Sequence, residues 1–152
     1  MKKKILLAFF VCLVCLFFSC DVSHDFFEGY YVGDAGDTEG KTSFTISLGE
    51  NETKTYKLSG CGSKSSFYVA IAMDSTEDEF FLTIAENKSF KKIIASYDPS
   101  SPKIIEFDNT AYIKVENLTG KSRETSLHVA WFSKIGHDGG ENVSPALEEY
   151  SD

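Results

Sequence analysis

Between residues 42 and 132 apolar side chains return at every second position, and that period leaves few folds open. Successive side chains on a strand point to opposite faces, whereas a helix returns to one face every 3.6 residues. "TSFTISL" sets Phe44, Ile46 and Leu48 on one side, and "TKTYKL" sets Tyr56 and Leu58. "FYVAIAM" aligns Phe67, Val69, Ile71 and Met73, and "FFLTIA" aligns Phe80, Leu82 and Ile84. "SFKKIIASY" and "KIIEF" are less regular strands. "AYIKVEN" alternates most clearly, with Ala111, Ile113 and Val115 inward, and "SLHVAWF" places Leu127, Val129 and Trp131 inward. Turn signals separate these runs: "GENE", "SGCGSKSS", "DSTEDE", "DPSSP", "DNT" and "LTGKSRET". No segment holds ten residues of helical period. About eight half-apolar strands predict an all-β, antiparallel, two-layer β-sandwich, each sheet with one face wet. About 90 residues suffice for such a core.

The two ends of the chain read differently. Lys2, Lys3 and Lys4 precede an unbroken apolar run from Ile5 to Phe18. Fourteen residues fall short of the ~20 needed to span a bilayer as a helix. A basic patch, a short apolar core and a small residue form a secretory signal over 1–19. Ser19 before Cys20, with Leu16 upstream, resembles the lipobox of bacterial lipoproteins, in the relaxed form typical of spirochaetes. Phe17 and Phe18 occupy positions where that family usually has leucine and a small residue. The resemblance implies cleavage before Cys20 and covalent lipid on it, so that the partner of the anchor is a lipid bilayer. Two or three acyl chains hold a protein far more firmly than one. Cell envelope, at the outer membrane or cell surface, is the expected location. Asp21 resembles the inner-membrane retention signal of enteric bacteria and leaves the choice of membrane open.

Residues 20–41 are expected to form a tether, with Phe26, Phe27, Tyr30 and Tyr31 able to dock back on the domain. Residues 133–152 lose the alternation, are acidic and contain Gly-Gly and Pro, and are expected to form a flexible tail. The chain has 15 basic and 23 acidic residues, a net charge of −8, and removing the three signal lysines leaves 12 against 23, or −11. That balance argues against nucleic acid and anionic headgroups, which need a basic footprint. Of the four cysteines, Cys12, Cys15 and Cys20 belong to the signal or the anchor. Cys61 stays alone, without an internal disulfide partner, and reads as a small buried hydrophobe.

The run from "STEDEFFLTIAENKSF" through "ASYDPSS", "KIIEF", "AYIKV" and "SLHVAW", with "ISLGENETKTYKLSG" upstream, resembles the bacterial pre-peptidase C-terminal domain over roughly residues 42–132. Ala111 stands where that family has a tyrosine-like residue. The resemblance implies a jelly-roll-like sandwich that binds a polysaccharide, a protein substrate or a partner enzyme such as a secreted protease. A structural or antigenic surface protein without a dedicated ligand is the alternative.

Candidate sites are sparse. His24 and His137 fall in the tether and tail, and His128 alternates outward on the last strand. A nucleophile needs a base within reach and a group to orient it. No such set is visible along the sequence, so no enzyme and no catalytic residue is expected. Oxygen-rich loops suit Ca²⁺, which makes Asp34, Asp37 and Glu39 and then Asp74, Glu77, Asp78 and Glu79 candidate ligands. Neither group follows the EF-hand spacing, and no other cofactor is expected. Tyr68, Phe81 and Tyr112 alternate opposite to the inward set and are expected to share one face, as a stacking platform.

Overall fold

Strand formation follows the alternation closely, because each strand can bury one face only by stacking against a second sheet. A computed structural model describes residues 35–136 and 141–150. The strands are β1 (Ala35–Leu48), β2 (Thr53–Ser59), β3 (Phe67–Met73), β4 (Phe80–Ala85), β5 (Ile93–Tyr97), β6 (Lys103–Ile105), β7 (Thr110–Asn117), β8 (Arg123–Lys134) and β9 (Ala146–Tyr150). The described residues contain no helix.

Two antiparallel sheets form, in the orders β1-β8-β3-β6 and β5-β4-β7-β2-β9. The first eight strands are dealt between the sheets as in a jelly roll, four to each, and β9 extends the second sheet beyond β2. The fold is an all-β sandwich, as the alternation predicts. The core lies between the sheets. Ile46, Val69, Ile71, Met73, Leu127 and Val129 come from the four-stranded sheet, and Leu58, Leu82, Ile84, Ile113 and Val115 from the five-stranded one. Trp131, expected inward with Leu127 and Val129, is only half-buried.

Three expectations change. The strand expected to open at residue 42 opens at Ala35 instead, inside the expected tether. β8 runs to Lys134 and offers its partner a ladder beyond Val129, from Lys41↔Ala130 to Ala35↔Lys134. Gly40 makes this possible, since a Cβ there would overlap the Trp131 indole. The acidic segment expected to be a flexible tail contributes β9, which pairs with β2 from Thr55↔Tyr150 to Ser59↔Ala146. An unpaired edge of β2 presents free N–H and C=O groups, and "ALEEY" fills it while Leu147 packs against the core. Gly60 (φ 77°) admits the return of this segment, because a Cβ there would strike the Ser144 carbonyl. The strand count is therefore nine.

The outer face of the four-stranded sheet is also partly buried. Ala70, Ala72, Ala130 and Phe132 form a second cluster, with Tyr68 and Ile104 packed against it. The lone cysteine, Cys61, is buried as expected. The signal, Cys20 and the four tether aromatics lie outside the described residues, as do His24, Asp34 and His137.

Candidate binding face

Register decides which outward side chains meet. On the five-stranded sheet, Tyr150 stands opposite Thr55, Thr55 opposite Lys114, Lys114 opposite Thr83 and Thr83 opposite Ser96. The neighbouring row runs Glu148, Lys57, Tyr112 and Ala85. Tyr112 and Tyr150 thus lie diagonally across β2, with ring centroids 5.7 Å apart and planes at 86°. This edge-to-face geometry satisfies the ring quadrupoles. Lys88 Nζ sits 5.0 Å from the centre of the Tyr150 ring, within cation–π range. Phe81, opposite Glu116, occupies the same face two residues further along β7 and β4 from the Lys114 row. Ser96 Oγ reaches Thr83 Oγ1 at 3.4 Å. The face combines apolar rings, lysine ammonium groups and a line of hydroxyls.

Of the three expected platform residues, Phe81 and Tyr112 share this face. Tyr68 does not. It stands opposite Phe132 on the four-stranded sheet, on the other side of the sandwich, where Lys134 Nζ lies 4.3 Å from its ring centre. Alternation within a strand gives a residue's phase, but not which sheet the strand joins. Tyr150, absent from the expectation, replaces it. Its only sequence signal is the short alternation of "ALEEY".

Two of the acids expected as calcium ligands, Glu79 and Asp74, have side-chain partners within the fold. Glu79 accepts a hydrogen bond from the Thr76 amide (3.0 Å) and pairs with Arg123 at 2.6 Å. The Thr76 amide, with Arg123 adding to it, holds the Glu79 carboxyl below the ordinary carboxylate range. The Asp78 amide donates to Asp98 Oδ2 at 2.6 Å, and the Asp74 carboxylate lies beside His128. Glu77 is exposed, as is Glu39 on β1, the strand that also holds Asp37. Among the described residues no three metal-ligating side chains converge. The Glu79–Arg123 pair ties the residue before β4 to the start of β8.

No family model matches the chain, and no curated protein does. Among solved structures, that of the Yersinia pseudotuberculosis-derived mitogen superposes with a TM-score of 0.45 at 13% identity, over 70% of this chain and 94% of that one.

One end of the sandwich carries a cleft of about 300 Å³ lined by Gly62, Ser63, Asp108, Asn109, Glu141 and Asn142. The Ser63 amide donates to Glu141 Oε2 at 3.0 Å, and Lys64 pairs with Asp108 at 3.2 Å. The Lys64 side-chain hydrogen bond is the main reason that the Asp108 carboxyl is held low. Each cleft carboxylate thus already has a partner from the "CGSKS" loop.

Proposed function

We propose that this chain is a lipoprotein of the bacterial cell envelope, anchored through lipid on Cys20, whose sandwich is a binding module for a glycan. The observation that carries the reading is the Tyr112–Tyr150 pair on the outer, partly exposed face of the five-stranded sheet, flanked by Thr55, Lys57 and Lys114. Aromatic rings supply an apolar body with a polar tip, and adjacent hydroxyls and ammonium groups supply directional hydrogen bonds. That combination suits a sugar, which is apolar on its ring faces and polar at its rim. The resemblance to the pre-peptidase C-terminal domain supports an accessory role of the same kind.

Two measurements test the proposal. Metabolic labelling with a palmitate analogue is expected to mark the wild type and not Cys20→Ala; equal labelling of both refutes the anchor. The detergent-solubilised protein is expected to bind polysaccharides from the envelope, and Tyr112→Ala and Tyr150→Ala are each expected to weaken binding at least tenfold. Capture of a secreted protease instead of a glycan moves the reading to a protein partner. Capture of neither leaves a structural surface protein.

A further inference from the structure

The opposite face of the sandwich carries a constellation that the sequence scatters over 85 positions. Ser43 on β1 stands directly across from His128 on β8, and Ser43 Oγ lies 2.7 Å from His128 Nδ1. On the far side of the ring, Asp74 Oδ1 is 3.1 Å from Nε2, an ion-pair distance without hydrogen-bond alignment. Ala72 is the β3 partner of His128, and its small buried side chain leaves the imidazole its place on the sheet.

Asp74 is not a loosely held loop acid. Its amide donates to the Ser126 carbonyl at 3.1 Å, and its carbonyl accepts from Thr125 Oγ1 at 2.7 Å. Both partners belong to β8, the strand that carries His128. The Ser43 side of the array is open to solvent, whereas the imidazole is only one-fifth exposed (19%). Lys41 and Thr45 stand two residues to either side of Ser43 on the same face of β1, so a cation and a hydroxyl flank the serine.

The negative charge of a carboxylate 3.1 Å from Nε2 favours the tautomer with the proton on that nitrogen. The Nδ1 lone pair then accepts the Ser43 hydroxyl. The order serine–imidazole–carboxylate is that of an activated nucleophile, with the two ring nitrogens exchanging their usual roles. We propose that Ser43 is a nucleophile toward ester carbonyls, His128 its general base and Asp74 a positioning residue. In the reaction Ser43 Oγ bonds to the carbonyl carbon as its proton passes to Nδ1. The ester C–O bond then breaks and the alcohol leaves with that proton. Water, deprotonated by the same nitrogen, releases the carboxylic acid and restores the serine.

The probe is a fluorophosphonate added to the full-length protein in detergent. The Oγ–P bond forms, the P–F bond breaks, and fluoride leaves while the proton goes to Nδ1. A single adduct is expected at Ser43 by mass spectrometry, absent in Ser43→Ala. His128→Gln is expected to slow labelling at least tenfold, the low end for loss of a general base. Asp74→Asn is expected to slow it severalfold, with recovery in Asp74→Glu. Each variant's melting curve is recorded alongside, and Ser89→Ala, at an exposed serine in the turn after β4, is expected to label normally. No adduct at Ser43, or labelling of His128→Gln or Asp74→Asn at the wild-type rate, overturns the proposal and leaves the glycan reading untouched.

Discussion

Asn117, at the end of β7, is buried to 3% exposure and spends its whole amide on four hydrogen bonds. Nδ2 donates to the Gly49 carbonyl at 2.7 Å and to the Lys121 carbonyl at 2.8 Å. Oδ1 accepts from the Thr119 amide at 3.0 Å and from Thr119 Oγ1 at 2.7 Å. One side chain thereby ties the β1–β2 turn to the β7–β8 loop. In Asn117→Ala two carbonyls and the Thr119 donors lose this partner. At about 1 kcal/mol net per bond, with the Thr119 groups partly recovered by water, the loss is about 3 kcal/mol. For a domain of this size that lowers the melting temperature by roughly 10 °C.

Asn117→Asp separates hydrogen bonding from packing. The shape is unchanged, but an acceptor now faces the Gly49 and Lys121 carbonyls. Burial and those two oxygens push the variant's carboxyl up, so the neutral form is favoured in the fold. The penalty is then full only above the raised folded value, shrinks as pH falls from there toward the unfolded value of ~3.9, and is nearly gone below it. Melting by circular dichroism at pH 7 and pH 3.5, each against wild type, reads both effects. If Asn117→Ala melts within 3 °C of wild type, or if the Asn117→Asp deficit is the same at both pH values, the hydrogen-bond accounting is wrong.

Three further outcomes follow from the same geometry. Burial pushes the Cys61 thiol up to about 12, so Ellman's reagent at pH 8 is expected to react only at the rate of unfolding. Stability is expected to fall as pH rises through 9, where the unfolded thiol ionises first, and Cys61→Ala is expected to flatten that decline. Burial raises the Asp98 carboxyl, but the Asp78 and Ser100 amides overcome this and leave it depressed. Its stabilisation is therefore present above ~4 and lost as pH falls through the folded value; acid titration of Asp98→Asn is expected to show a shallower loss. Leu147→Asp, placed opposite the fully buried Leu58, is expected to cost about 2 kcal/mol in lost apolar burial. It is also expected to expose the β2 amides to hydrogen exchange; unchanged protection there contradicts the role given to β9.

The inward sets from Phe44 to Val129 were legible because period two assigns every residue to a face without knowledge of its neighbours. Pairing was not. Ser43 and His128 meet because β1 and β8 are sheet neighbours, although 85 positions separate them. Tyr68 and Tyr112 have the same outward phase and end on opposite sides, because β3 and β7 are dealt to different sheets. β9 was missed for another reason. Five residues following Gly-Gly and Pro, three of them polar or acidic, carry too little apolar signal to stand as a strand alone. Only the open edge of β2 makes them one.

That edge also explains why the proposed binding face lies at β9. Strand pairing at β2 brings in two independent things at once. Leu147 points inward and joins the core, while Glu148 and Tyr150 point outward and complete the Tyr112 surface. Glu149, on the inward phase but at the rim, pairs with Lys54 at 3.2 Å. After burial itself, its charge is the main reason that the Tyr56 hydroxyl is pushed up to about 12. A strand needed only to close an edge would do so with any residues that avoid proline and tolerate extended backbone. This one adds an aromatic ring at the single register where it meets Tyr112 edge to face, and a one-residue slip would turn that ring inward and Leu147 outward. The core contact of Leu147 therefore sets the register on which the tyrosine pair depends.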